Sequence, residues 1–434
     1  MGRKADLKNR NNLAQIKEMR IARLAQDQDR HILKKASRKF SELRSEGHSY
    51  FYIASLFAVK FVRKVLGKIR SFARSSHTKV SVDNIFAEDR KGFHLAINVA
   101  GGVGDALIAA RFLRDLSAEV EDDIQIDVYH NFPNLVQFVF DSVSTVRSVY
   151  HAALFDCVRD RYDVSGKILC QYCTVDLPVE GRRKLIESYP KLLKILSTIE
   201  ASKQKYDLFV KHHPGLDGAF SDVVAEKGLR RETILHHFAN INYSSREYQL
   251  KIPDGYVSQL GLTPKSYITI HDGWDGSGDL GNRRPTKSYP LERWNELVAL
   301  LKERLPGVKI VQVGGAVGGH IDGVDLSLKE KISLPEAVSV IRDGLLHVDN
   351  ESGLIHLASA MGVKSVVLFG PTHYDFFSYP TNINMQSEAC GNCWWSTDNW
   401  AARCPRGFSL PPCMDSISPE AVADAVVAAC RAAD

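Results

Sequence analysis

Residues 97–113 read I-N-V-A-G-G-V-G-D-A-L-I-A-A-R-F-L: an apolar run, three glycines, an acid, then the apolar spacing of a helix. A strand that turns into a helix through glycines opens a βαβ unit, so the segments on either side decide the fold. F-H-L-A-I-N-V (93–99) reads as a buried strand, D-A-L-I-A-A-R-F-L-R-D-L (105–116) as a helix, and I-Q-I-D-V-Y-H (124–130) as the next, parallel strand. The acid is the oddity. Such a turn usually places a phosphate on a helix N-terminus, and Asp105 would repel one. The glycine series also fails as a dinucleotide fingerprint: Leu107 stands where the third glycine belongs, and His130 and Asn131 replace the acid wanted after the second strand. G-K-[ST], which a phosphate loop needs, is absent.

The same alternation restarts further on. S-Y-I-T-I-H (266–271) and V-K-I-V-Q-V-G-G (308–315) read as strands around a helix from Pro290 to Leu305. S-L-P-E-A-V-S-V-I (333–341), L-L-H-V-D (345–349), a helix from Gly353 to Met361, K-S-V-V-L-F-G-P-T (364–372) and a closing helix from Pro419 to Ala433 follow. Between the two series, Y-D-L-F-V (206–210) reads as a strand. The expected fold class is α/β: two doubly wound, Rossmann-like halves at 81–250 and 251–434, with a ligand crevice where the carboxyl ends of their strands face each other.

Composition agrees with two domains. The chain has 434 residues, 44% hydrophobic and 25% charged, too many for one ordinary core. Its net charge of +5 hides an asymmetry: residues 1–80 carry 20 Lys or Arg against 6 Asp or Glu, a basic helical arm on an acidic body. No secretory signal opens the sequence, which predicts a reducing cytoplasm and cysteines used for metal or burial. No stretch is apolar enough to span a membrane. Y-F-Y-I-A-S-L-F-A-V-K-F-V (50–62), flanked by Lys60, Arg63, Lys64, Lys68 and Arg70, suits a helix lying on an anionic membrane surface, or one packed on the body or on a sister subunit. The first is favoured, which predicts a peripheral association of residues 1–75 with the inner face of the cytoplasmic membrane. No nucleic-acid-binding motif is recognisable in the arm.

V-D-N-E-S-G-L-I-H-L-A-S-A-M-G (348–362) puts Ser352 and Gly353 on the first turn of a helix after a buried strand. Free N–H groups and the helix dipole there favour a diphosphate, and Gly353 lets a ligand approach the backbone. An ordinary helix capped by Ser352, with His356 as a core residue, fits the residue chemistry equally well. The segment is similar to the [ND]-[DE]-[ST]-G-x-x-H-[LI]-A-A-A motif of glycosyltransferase family 9, the ADP-heptose heptosyltransferase family. T-K-S-Y-P-L-E-R-W (286–294) resembles its K-x-[WY]-P-x-x-x-[WF], F-G-P-T (369–372) its F-G-P-T loop, and G-G-V-G-D-A-L (101–107) its N-terminal G-D turn. The four occur in family order across residues 97–434.

The resemblance implies a GT-B fold and inverting transfer from a nucleotide diphosphate sugar, ADP-heptose favoured, without a catalytic metal. Carried over by position, Lys287 neutralises the donor diphosphate, Ser352 and Gly353 bind it, and Glu351 and His356 lie beside nucleotide or sugar. Glu351 departs from the family's usual aspartate by one methylene. Asp272 and Gly273, in I-T-I-H-D-G-W, fall where the family often has H-x-G and should face the crevice, as should Thr372 of the F-G-P-T loop. Trp294 is expected to pack its helix onto the sheet. Asp105 occupies the family's position for the base that takes the acceptor proton, and Gly101, Gly102 and Gly104 give the acceptor room. A helix N-terminus keeps such an acid ionised and weakly basic, which suits a late proton transfer.

Cys390, Cys393, Cys404 and Cys413 could close a tetrahedron around a structural metal. The autotransporter heptosyltransferase branch, which this segment resembles, has a four-cysteine site reported with iron, so zinc and iron are both expected. Cys170 and Cys173 read as structural or unligated thiols. The function these readings favour is sugar transfer to a glycan or lipid-linked acceptor of cell-surface polysaccharide or lipopolysaccharide. Protein O-heptosylation of the autotransporter type, by a soluble homo-oligomer, is the alternative within enzymes. A catalytically silent nucleotide-sugar-binding module is the alternative outside them.

Overall fold

A computed structural model describes residue 13 and residues 16–21, 92–120, 123–273 and 284–432. Most of the basic arm, including the aromatic segment 50–62 on which the membrane reading rests, lies outside the described residues.

The first sheet holds β1 (Phe93–Val99), β2 (Ile124–His130), β3 (Val146–His151), β4 (Val164–Leu169) and β5 (Tyr172–Asp176) in the order β3-β2-β1-β4-β5. Its first four strands run parallel and β5 turns back antiparallel on β4. The second holds β6 (Tyr267–Ile270), β7 (Lys309–Gln312), β8 (Leu326–Ser327), β9 (Leu346–Asn350), β10 (Ser365–Phe369) and β11 (Ile383–Gln386). Their order is β11-β10-β9-β6-β7-β8 and every pairing is parallel. Both sheets reverse direction beside their first strand, between β1 and β4 in one and between β6 and β9 in the other. Ligand crevices form outside the carboxyl ends of strands at such switch points. The central strands are buried on both faces, which is why β1 and β10 read as continuous apolar runs.

Seven helices carry the argument: α1 (Val103–Val120), α2 (Asp217–Ala225), α3 (Leu291–Arg304), α4 (Leu334–Asp343), α5 (Gly353–Ala360), α6 (Tyr374–Phe377) and α7 (Pro419–Arg431). One core covers the faces of the first sheet and continues through α1 into α4 and α5 of the second half, so Leu107 and Leu113 share an interior with Leu354 and Leu357. A second core fills the far side of the second sheet, between α3 and α7, where Trp294 is fully buried edge-on to Tyr289.

One expected strand is a helix. Residues 206–210 fall on a turn at Tyr206 and a short helix, Asp207–Lys211. Asp207 and Lys211 pair one turn apart at 2.6 Å, and the Phe209 ring packs against Phe220. A short apolar run cannot by periodicity alone declare whether it is strand or helix. Among the described residues no helix is long and apolar enough to cross a membrane.

The described part of the arm, helical at residues 16–21, lies against both halves. Lys17 pairs with Asp222 of α2 at 2.7 Å. Arg20 donates to the Gly215 carbonyl and pairs with Asp398 of the cysteine segment at 2.7 Å.

Candidate active site

The two switch points meet. A Cβ placed on Gly104 would lie 2.5 Å from the His356 ring and 3.2 Å from Gly353 Cα, and one on Gly353 would lie 2.7 Å from a Val103 methyl. The N-termini of α1 and α5 thus face each other, with glycine on each side because no side chain fits between them. The room at Gly104 that the sequence suggested for an acceptor is taken by His356. Space remains at Gly102, which is exposed and has nothing within 4 Å of its Cβ direction. Gly101 is required for another reason: its φ of +103° favours glycine, and a Cβ there would strike the Asp105 carboxylate.

Asp105 sits in the first turn of α1 with its side chain 28% exposed at this junction. One oxygen is 2.5 Å from Arg231 Nη2, and the other accepts the Gly102 N–H at 3.0 Å. Burial pushes its pKa up, but the Arg231 charge and hydrogen bond, the Gly102 N–H and the positive field of His356 outweigh this and hold the carboxyl below its ordinary value.

Across the gap, β9 ends in Asp349 and Asn350, and the chain turns through Glu351 and Ser352 into α5. Ser352 is the N-cap: its hydroxyl accepts from the Leu354 N–H at 3.2 Å and donates to Asp349 at 2.5 Å. The capped-helix reading of Ser352 therefore holds. The cap satisfies the Leu354 donor, and Gly353 begins the helix on the side facing α1. His356 Nδ1 lies 2.6 Å from the Tyr379 hydroxyl, and its Nε2 is 3.7 Å from Glu351. Glu351 and His356 are thus brought together, both nearly buried beneath the turn.

Asp272 and Gly273 follow β6 at the same switch point, but their polar groups are spoken for. The Asp272 carboxylate accepts the Gly319 N–H at 2.7 Å, and its carbonyl accepts from the Asn350 side chain at 2.9 Å. Gly273 has φ +66°, and a Cβ there would meet the Asn350 amide. Lys287 is half-buried on the 284–290 segment, whose Thr286 hydroxyl donates to the Trp400 carbonyl at 2.8 Å. Thr372, just after β10, is buried with no hydrogen-bond partner for its hydroxyl among the described residues. A polar group in that position costs free energy until something satisfies it.

Several residues here carried no sequence signal. Arg231 lies in L-R-R-E-T (229–233), which matches no motif in the poorly legible middle of the chain. Tyr379 reaches His356 from beyond the F-G-P-T loop. Cys170 follows β4 at the first switch point, where burial and the Asp105 charge raise its pKa well above the ordinary thiol value. It is a poor nucleophile there.

The four C-terminal cysteines share a neighbourhood. The Cys390 and Cys413 thiols hydrogen-bond each other, and the charge of Cys404 acts on both Cys393 and Cys413. Four thiols have the donor chemistry of a zinc or iron site. Yet among the described residues no three His, Cys, Asp or Glu side chains converge as metal ligands, so the expected tetrahedron is not assembled.

Residues 280–405 match the family model for glycosyltransferase family 9 (heptosyltransferase). No curated protein matches the chain. Among solved structures, the dodecameric iron-containing heptosyltransferase TibC in complex with ADP-D-beta-D-heptose is 14% identical with a TM-score of 0.52, over 80% of this chain and 78% of that one. TibC from enterotoxigenic E. coli H10407, 15% identical, gives a TM-score of 0.51 over the same shares. The E. coli ADP-heptose LPS heptosyltransferase II is 16% identical with a TM-score of 0.48, over 78% of this chain and 99% of that one. Residues 280–405 are thus similar to glycosyltransferase family 9 (heptosyltransferase), and they belong to a GT-B-like pair of mainly parallel sheets whose switch points meet.

Proposed function

We propose that the protein is an inverting glycosyltransferase that takes a nucleotide diphosphate sugar of the ADP-heptose type, the donor held by the structurally similar TibC. Residues 81–250 form the acceptor side and 251–434 the donor side. The acceptor hydroxyl oxygen attacks the anomeric carbon, the bond from that carbon to the diphosphate oxygen breaks, and its electron pair leaves with the diphosphate. The proton passes to Asp105. The N-terminus of α5 at Gly353, together with Lys287, stabilises the charge growing on the leaving group. Glu351, His356 and Thr372 line the donor, while Asp272 and Gly273 hold Asn350 beneath it. The chemistry needs no catalytic metal. Were a structural zinc or iron bound, Cys390, Cys393, Cys404 and Cys413 are the residues that would hold it, as thiolates.

The observation that carries this reading is the meeting of the Gly101–Asp105 turn with the Glu351–His356 turn. An ionised but weakly basic carboxylate, part-exposed beside a helix N-terminus, is the constellation that such a transfer needs. Asp105→Asn is expected to slow acceptor-dependent ADP release from ADP-heptose by about 10²–10⁴. Release at the wild-type rate would remove Asp105 from the mechanism.

A second reading, transfer to protein serine, draws support from the likeness to TibC and from the four-cysteine segment. Offering ADP-heptose with either a serine-containing protein acceptor or a lipid-linked glycan separates the two: sugar appears on only one of them. A cytoplasmic enzyme held at the inner membrane face by residues 1–75 belongs to the first reading, and a soluble oligomer to the second.

A further inference from the structure

The mechanism assigns no role to Arg231, yet it is the residue in contact with the proposed base. Its side chain is 3% exposed, and Asp105 is the carboxylate with which it pairs among the described residues, at 2.5 Å. Its guanidinium Nη1 is buried with no partner among the described residues. A buried arginine is costly unless its charge is met, so its position must be fixed from elsewhere.

The backbone supplies that fixing, and it does so from the other half of the molecule. The Arg231 N–H donates to the Phe376 carbonyl of α6 at 2.7 Å. Arg230 reaches the Ser378 carbonyl and hydroxyl at 3.0 and 3.1 Å. Glu232 is gripped by Arg246 at 2.7 and 2.8 Å, and Arg246 also donates to Thr381 at 3.2 Å. Residues 230–232 are therefore attached to residues 376–381, and α6 follows directly on the F-G-P-T loop, with His373 between them as its N-cap.

We propose that Arg231 is a positioning residue that ties Asp105 to the loop 372–378, so that the base on the first half follows the donor-side loop on the second. This rests on Asp105 serving as the base. The other groups that act on Asp105 are His356 from α5, His130 from the end of β2 and Cys170 from just after β4, along with the Gly102 N–H. Arg231 dominates them because it alone makes an ion pair at hydrogen-bond distance.

The test follows the Asp105 carboxyl directly, by carbon NMR of protein labelled at the aspartate side-chain carboxyl, with Asp105→Asn used to identify its resonance. In the wild type it should titrate below the ordinary aspartates. In Arg231→Gln its midpoint should rise by about 1–3 pH units, and Arg231→Lys, which keeps the charge, should restore most of the difference. Saturating ADP should shift the resonance in the wild type and leave it unmoved in Arg231→Gln. An unchanged midpoint in Arg231→Gln, or an equal response to ADP in both proteins, zero included, overturns the proposal. Should Arg231→Gln not fold, Arg231→Lys decides: loss of the ADP response with the midpoint retained supports the tie, and an undiminished response overturns it. If Asp105→Asn transfers sugar at the wild-type rate, the base assignment falls, while the link between Arg231 and Asp105 still stands or falls on the titration.

Discussion

Asp349 carries more of the site's order than any residue the motifs name. It is fully buried at the end of β9, 3.0 Å from His271 Nδ1 and 2.5 Å from the Ser352 hydroxyl. Burial alone would raise its pKa; the charge and hydrogen bond of His271 and the hydrogen bond of His347 bring it down to about 2. A carboxyl depressed in this way stabilises the fold above its unfolded value near 4, and that contribution fades as pH falls toward 2. Asp349→Asn is therefore expected to cost about 3 kcal/mol at pH 7, read from the urea midpoint, with the gap to wild type narrowing between pH 4 and pH 2. An unchanged midpoint at pH 7 would deny the residue this part. The sequence showed Asp349 only as one letter of a strand end, because its partner His271 lies 78 positions away, just past β6. Asp105 was legible for the opposite reason: a carboxylate where a glycine turn should greet a phosphate is a local contradiction. Arg231 offers no such contradiction, and nothing short of the fold brings it to Asp105.

At the scale of elements, period and punctuation located β1 and α1 in the first half and β6, β9 and α5 in the second, but not β4, which completes the first switch point. They failed at 206–210, where an aromatic, β-branched run forms a helix stitched by Asp207 and Lys211. The glycine turns were read as room for acceptor and donor, and the neighbour at Gly104 is instead the opposing helix turn, a contact no local pattern encodes. The cysteine segment poses a different problem. Its spacing predicts four ligands, and the folded segment holds the sulfurs near one another without a shared centre. Protein purified without chelator is expected to carry about one zinc or iron per chain by elemental analysis. Stripping it should expose the 390–413 segment to protease while leaving α5 protected, and a metal-free protein with an equally resistant segment would retire the assignment.

For the whole molecule, the two sheets are joined on more than the site side. Helical residues 16–21 bridge them, Lys17 on α2 and Arg20 on both Gly215 and Asp398. The Trp394 indole donates to Ser221 at 3.0 Å beside them, and Gly218 presses on the Trp394 carbonyl. If this bridge fastens the halves, Arg20→Ala should speed amide exchange at both 213–222 and 394–398, roughly tenfold for a lost contact of about 1.4 kcal/mol. A change on one side only would mean that the arm rests on a single half. The charge asymmetry of the sequence announced a separate arm. It did not announce that two of the arm's basic residues, Lys17 and Arg20, spend their charge on the acidic body.

The facing starts of α1 and α5 have a further effect. Each helix end bears roughly half a positive charge, and two such ends set nose to nose push against one another. The Asp105 carboxylate, in the first turn of α1, offsets that repulsion from within the chain, so taking its charge away weakens the hold of one half on the other.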